Sequence, residues 1–159
     1  MVAFYMDSSG LVKHYLPETG SAWVNSLIDA TTTSGEWQNA VFLSKIGVVE
    51  VAAAIAKRHR MGQLTTESKA NLVTVFLDDC MGRFSTLNLD DLVIGTAINL
   101  TQRHPLRGYD AVHLATALML NEALTDEALE PLTFVSADDV LCQAAEAEGL
   151  MVENPNEHR

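Results

Sequence analysis

The chain has 159 residues, 48% of them hydrophobic, which suits one globular domain with a sizeable core. It shows no apolar run of about 18 residues and no basic start followed by an apolar stretch and a small-residue cleavage site, so neither a membrane span nor a secretory leader is expected; a soluble, cytoplasmic protein is. A formal net charge of -11 excludes a surface that grips nucleic acid everywhere, because phosphate affinity comes mainly from Lys and Arg.

In chain order, "VAFYM" (2–6) is a short apolar run ended by Asp7, Ser8, Ser9 and Gly10, the pattern of a buried strand leading into a helix cap. Two short helices follow, "GLVKHYL" and "SAWVNSLIDA", separated by Pro17 to Gly20. "TTTSGEWQN" (31–39) is a polar loop, expected to be mobile. A second strand, "AVFLS" (40–44), precedes the helix "VVEVAAAIAKRHRMG", which closes on basic residues and Gly62. Thr65 or Thr66 caps a long helix over "ESKANLVTVFLDDCM". The second half repeats the rhythm: strand "RFSTLNL", helices "DDLVIGTAINLTQR" and "YDAVHLATALMLNEAL", strand "LTFVS" (132–136), helix "DDVLCQAAEAEG" stopped by Gly149, and a last short strand in "LMVEN". Strands alternating with helices predict a mainly parallel sheet covered on both faces, in one domain over 1–159. Cys80 and Cys142 stand alone without CxxC spacing and read as small buried residues.

The unusual acids fall at telling places. Asp7 and Asp138 follow apolar strands and precede helices, the junction where open parallel sheets bind ligands. Glu50 interrupts "IGVVEVAAAIA" with no cation three or four residues away. Asp110 opens an otherwise apolar helix, and only Arg107 offers it a charge partner at that spacing. Each also has a structural role open to it: Asp7, Asp110 and Asp138 can cap helices, and Glu50 can simply be exposed. His113, one turn inside a helix among apolar neighbours, reads as a hydrogen-bonded core residue rather than a proton carrier. The basic clusters "KRHR" (57–60) and "RHPLR" (103–107) suit helix C-termini.

Four segments, in order, resemble the PIN-domain family, particularly the VapC-type ribonuclease toxins of bacterial and archaeal toxin-antitoxin systems. They are "FYMDSSGLVKHYLPE", "SKIGVVEVAAAIAK", "LRGYDAVHLATAL" and "TFVSADDVL", of which the third is the most specific. The resemblance implies a three-layer α/β/α sandwich with Asp7, Glu50, Asp110 and Asp138 gathered at the carboxyl edge of the sheet as catalytic residues and metal ligands. Two carboxylates about 5 Å apart repel by about 3 kcal/mol at an effective dielectric of roughly 20, a conflict that a hard cation such as Mg²⁺ or Mn²⁺ removes. It further implies metal-dependent hydrolysis of RNA by activated water, a small antitoxin protein as partner, and a homodimer. Ser8, Ser9 and Ser136 are candidates to support the acids, and Lys13, Lys45 and Lys57 to Arg60 to contact the RNA backbone. Asp139, beside Asp138, offers an alternative fourth acid and departs from the family pattern. A PIN-fold scaffold with little or no cleavage is the competing expectation. A nucleophilic-aspartate phosphotransferase is disfavoured because Asp7 lacks a second aspartate two residues on, and no GxGxxG or GK[ST] loop offers nucleotide binding.

Overall fold

A computed structural model describes all 159 residues. Five parallel strands form one sheet: β1 (Val2–Met6), β2 (Asn39–Ser44), β3 (Ser85–Leu87), β4 (Thr133–Val135) and β5 (Met151–Glu153), in spatial order β3-β2-β1-β4-β5. Seven α-helices connect them: α1 (Ser8–Tyr15), α2 (Ser21–Ile28), α3 (Lys45–Arg60), α4 (Thr66–Gly82), α5 (Asp91–Arg103), α6 (Gly108–Asp126) and α7 (Asp139–Ala147).

Side-chain alternation along the strands makes the layers. Ala3 and Tyr5 of β1 point to one face with Phe134, where they meet Leu100, Leu114 and Leu141 of α5, α6 and α7. Phe4 and Met6 point to the other with Val41, Leu43 and Val135, where they meet Leu11, Val24, Val51, Ile55 and Phe76 of α1 to α4. Both faces are therefore apolar and covered, as the α/β/α expectation requires. No helix is long and apolar enough to cross a membrane.

Capping residues account for the helix starts. Asp7, Ser44, Thr65, Asp90 and Asp138 each accept a hydrogen bond from a backbone N–H in the first turn of the following helix. Ser44 caps as soon as β2 ends, so α3 begins at Lys45, three residues earlier than its apolar periodicity predicts. The polar 31–39 loop, expected to be mobile, is a hydrogen-bonded turn in which Thr31 and Trp37 form an antiparallel bridge. Arg83 holds it, its guanidinium 4.2 Å from the Trp37 ring centre and donating to the Ile28 carbonyl at 2.6 Å.

The C-terminal turn (Pro155–Glu157) lies against the start of α2. Trp23 stacks on His158 with ring centres 4.2 Å apart. Gly20 makes that closure possible, because its φ is +87° and an added Cβ would sit 2.3 Å from the Pro155 carbonyl oxygen. Gly20→Ala is expected to destabilise the protein by about 2 kcal/mol or more, from backbone strain and overlap together. Urea denaturation measures it, and an unchanged midpoint would show that the turn can move aside.

Candidate active site

The strand order reverses direction at β1: the chain moves outward to β2 and β3 on one side and returns to β4 and β5 on the other. The carboxyl ends of β1 and β4 thus flank the crevice that such sheets use for ligands. Asp7 and Ser136 each immediately follow one of these strands, and Asp138 follows two residues later.

Asp7 is buried and fully engaged. Its backbone N–H continues the sheet by donating to Val135 O at 3.1 Å. One carboxylate oxygen accepts from the Ser9 hydroxyl at 2.7 Å and the Gly10 N–H at 2.8 Å, and the other from the Ser136 hydroxyl at 2.6 Å. Gly10 permits the approach of α1 to β4, since a Cβ there would lie 3.1 Å from Val135 O. Ser136, also buried, accepts in turn from the Asp138 N–H at 3.1 Å, and Ser9 accepts from the Ala137 N–H at 2.9 Å. The two hydroxyls therefore splice the β1 and β4 ends through one carboxylate. Ser8, expected as a supporting residue, occupies the first position of α1; Ser9 and Ser136 make the contacts to Asp7 instead.

Asp110 enters from the first turn of α6. Its Oδ2 accepts from Arg107 Nε at 3.2 Å, the partner foreseen from spacing. Arg107 also reaches the other side of the crevice, with its terminal nitrogen 3.8 Å from Asp138 Oδ2. That second reach could not be read from local spacing, because it depends on α6 and α7 starting side by side. Asp138 caps α7 through Oδ1, leaving Oδ2 toward the arginine. Asp139 turns away, accepting from Asn154 Nδ2 at 2.8 Å.

Glu50 stands on α3, in the second turn after the C-terminal end of β2. Its partner comes from another helix: the buried His113 places Nε2 2.5 Å from Glu50 Oε1, while Nδ1 lies 2.8 Å from the Tyr5 hydroxyl. A carboxylate only accepts, so Nε2 carries the proton in that contact. His113 is thus the hydrogen-bonded core residue expected, with an added task that its own helix gave no hint of. In this arrangement no three acidic, histidine or cysteine side chains lie close enough together to share one ion. Asp110 and Asp138 share Arg107 instead.

The basic candidates separate. Lys13 is not available to RNA: it is buried, and its Nζ donates to Glu18, to the Thr19 carbonyl and to Asn156. Lys57 to Arg60 form the last turn of α3, roughly 18 Å along the axis from its N-terminus, where they complement the helix dipole. Lys45, exposed at the first position of α3, stays at the carboxyl edge.

Burial sets the acidity of the site. The carboxyls of Asp7 and Asp110 are both pushed above the ordinary aspartate range, as expected, but desolvation is the main cause in each. Repulsion from Asp138 and Asp7 adds to Asp110 only after the opposing pull of Arg107. Hydrogen bonds from Ser136, Ser9 and Gly10, with nearby His113, hold Asp7 back from rising further.

With this geometry established, the similarities to known proteins fall into place. Residues 4–147 match the PIN domain family. The chain belongs to that family. Ribonuclease VapC45 of Mycobacterium tuberculosis (strain CDC 1551 / Oshkosh) is 33% identical to the PIN chain over 122 residues, which cover 77% of it and 79% of the relative. VapBC2 from Rickettsia felis, solved bound to a DNA fragment from their promoter, shares the PIN fold with a TM-score of 0.61 at 12% identity, over 96% of this chain and 98% of that one. A toxin-antitoxin complex from Klebsiella pneumoniae does so with a TM-score of 0.55 at 15% identity, over 98% of each chain.

The weakened acidity of Asp110 has a consequence of definite sign. A carboxyl whose folded value lies above its unfolded one contributes stability that is full below the unfolded value and is lost as pH rises through the folded value. At neutral pH the ionised Asp110 therefore opposes folding, and its exposed ion pair with Arg107 offsets little of that. Asp110→Asn is expected to leave the metal-free melting temperature unchanged or raise it by up to about 3 °C at pH 7. The gap should close below about pH 4, where the wild-type carboxyl is protonated too. Thermal melts across pH measure this, and a variant that melts well below wild type at pH 7 would make Asp110 chiefly structural.

Proposed function

We propose that this PIN protein is a Mg²⁺- or Mn²⁺-dependent endoribonuclease, the toxin of a toxin-antitoxin pair. The observation that carries the proposal is that Asp110 shares Arg107 with Asp138 and feels the charge of Asp7 at the switch-point crevice, with Glu50 on the adjoining helix, in a chain whose sequence relative is named a ribonuclease. The donor set is all oxygen, which suits hard dications. Two of its carboxyls hold their protons more tightly than an ordinary aspartate, and two already share a cationic side chain. Asp7, Glu50, Asp110 and Asp138 would hold the ion, Asp138 directly or through water, once Arg107 had withdrawn and the acids had drawn closer than they stand here, where no three share one point. Such a metal, when bound, activates water and offsets the charge of a phosphodiester.

The protein's own residues supply position. Ser9, Gly10 and Ser136 fix both oxygens of Asp7, and His113, anchored by Tyr5, fixes Glu50 from outside the site. Fixed ligands lower the reorganisation needed as charge builds on the phosphate oxygens. In the overall reaction water adds its oxygen to phosphorus, the bond from phosphorus to the leaving ester oxygen breaks, and that oxygen gains a proton.

The proposed antitoxin would lay an apolar segment into the groove between α3 and α4. That groove has a volume of about 660 Å³, is lined by Val48, Val49, Leu77 and Met81, and reaches the carboxyl edge at Lys45. Its shape supports a helix or extended strip with a basic side chain directed to the acids. The exposed face of α5, with Leu92 and Ile98, is where a second copy of the chain would pack in the proposed homodimer.

An RNA-cleavage assay with and without EDTA tests the activity, beside Asp7→Asn, which is expected to reduce turnover about 100-fold or more, the scale for losing one charge-stabilising group. In the metal-free protein, Mn²⁺ at about 100 times its dissociation constant should add roughly 2.7 kcal/mol of stability, read as a higher melting temperature. Turnover that is absent or indifferent to EDTA would leave a binding scaffold as the better description.

A further inference from the structure

Arg107 is placed unlike any other cation of the chain. It bridges Asp110, at 3.2 Å, and Asp138, at 3.8 Å, across the mouth of the crevice, yet its side chain is 67% exposed. Its backbone is the N-cap of α6, but its side chain makes no capping bond, so within the helix only the i,i+3 ion pair with Asp110 holds the guanidinium. In the same pose its guanidinium lies over the ring of the exposed Tyr109, 5.0 Å from the centre, a contact that it can keep when the carboxylates let go. The other arginines with ion-pair partners, Arg58 and Arg103, engage Glu18 and Glu148, and Arg83 is committed to the Ile28 carbonyl and Trp37.

We propose that Arg107 is an exchangeable counter-ion: it neutralises the Asp110–Asp138 pair in the metal-free protein, gives way to the divalent cation, and then binds an RNA phosphate at the rim of the site.

The exchange follows from charge and connectivity. A guanidinium stays positive at every accessible pH, so it cannot make room by losing its proton. A dication entering the same pair of carboxylates repels it, and the exposed side chain has only a weak, screened ion pair to give up. Once displaced it remains tethered beside Asp110, at a rim otherwise dominated by carboxylates. An RNA strand approaching a chain of net charge -11 needs a cation there, and a planar guanidinium matches a phosphate in two hydrogen bonds.

This inference rests on the ribonuclease reading, and the two can fail separately. The test compares wild type with Arg107→Gln and Arg107→Lys. Titration calorimetry with Mn²⁺ on the metal-free proteins should show Arg107→Gln binding about threefold more tightly, because no exposed ion pair has to be broken first. Cleavage of a single-stranded RNA in saturating Mn²⁺ should show the opposite trend, with a higher KM. The slope of log KM against log salt should fall by about 0.7, the value for one lost phosphate contact on a single strand. Arg107→Lys keeps the charge and should restore that slope. A purely structural arginine would move neither quantity in this opposed way. The proposal is overturned if metal affinity fails to rise in Arg107→Gln, or if its salt slope stays at the wild-type value. A wild type that neither binds Mn²⁺ nor cuts RNA would overturn the ribonuclease reading itself.

Discussion

The whole arrangement depends on keeping one carboxylate, that of Asp7, out of water at the point where the sheet changes direction. A buried charge is tolerated only when hydrogen bonds replace its hydration, and here they come from α1 through Ser9 and Gly10 and from the end of β4 through Ser136. The same group therefore starts a helix, joins two central strands and faces the other acids. That is why the site and the fold cannot be separated at this residue. The compensation is incomplete, and the excess appears as a carboxyl that holds its proton more tightly than usual.

Around that point the chain distributes a small stock of positive charge with economy. Lys13 is spent inside, tying α1 to the C-terminal turn through Glu18, Thr19 and Asn156. Arg83 clamps the 31–37 turn, and Arg103 joins His104 on Glu148. Each of these holds elements together at a distance from the acids. What stands at the site itself is Arg107 at the mouth and Lys45 at the edge, so the negative field of the crevice is only partly neutralised by the chain's own cations.

Much of this was legible in the residues alone, and the reasons are local. Short apolar strand runs, capping side chains at Asp7, Thr65 and Asp138, and the left-handed Gly149 after α7 all act within a few residues, so patterning exposes them. The acids were visible because a carboxylate in an apolar segment contradicts its surroundings. What escaped depends on contacts between remote segments. Glu50 and His113 are 63 positions apart, and Asp7 and Ser136 are 129 apart. Lys13 sits on an exposed-looking stretch but turns inward, where Glu18 and Thr19 are joined by Asn156 of the C-terminal turn, an acceptor that no neighbouring residue could reveal. The strain on the acids was foreseen, but repulsion was given the credit that belongs mainly to burial.

The outer strands, β3 and β5, are only three residues long each. A sheet margin of that length exposes few free backbone donors and acceptors, so it offers a poor template for a foreign strand or for runaway stacking into fibrils. Most of the exposed large apolar side chains, Val49, Leu77, Leu92 and Ile98 among them, lie instead on helices, where partners must match a contoured surface rather than extend a ladder. Whatever binds this molecule is thereby steered toward selective recognition and away from indiscriminate polymerisation.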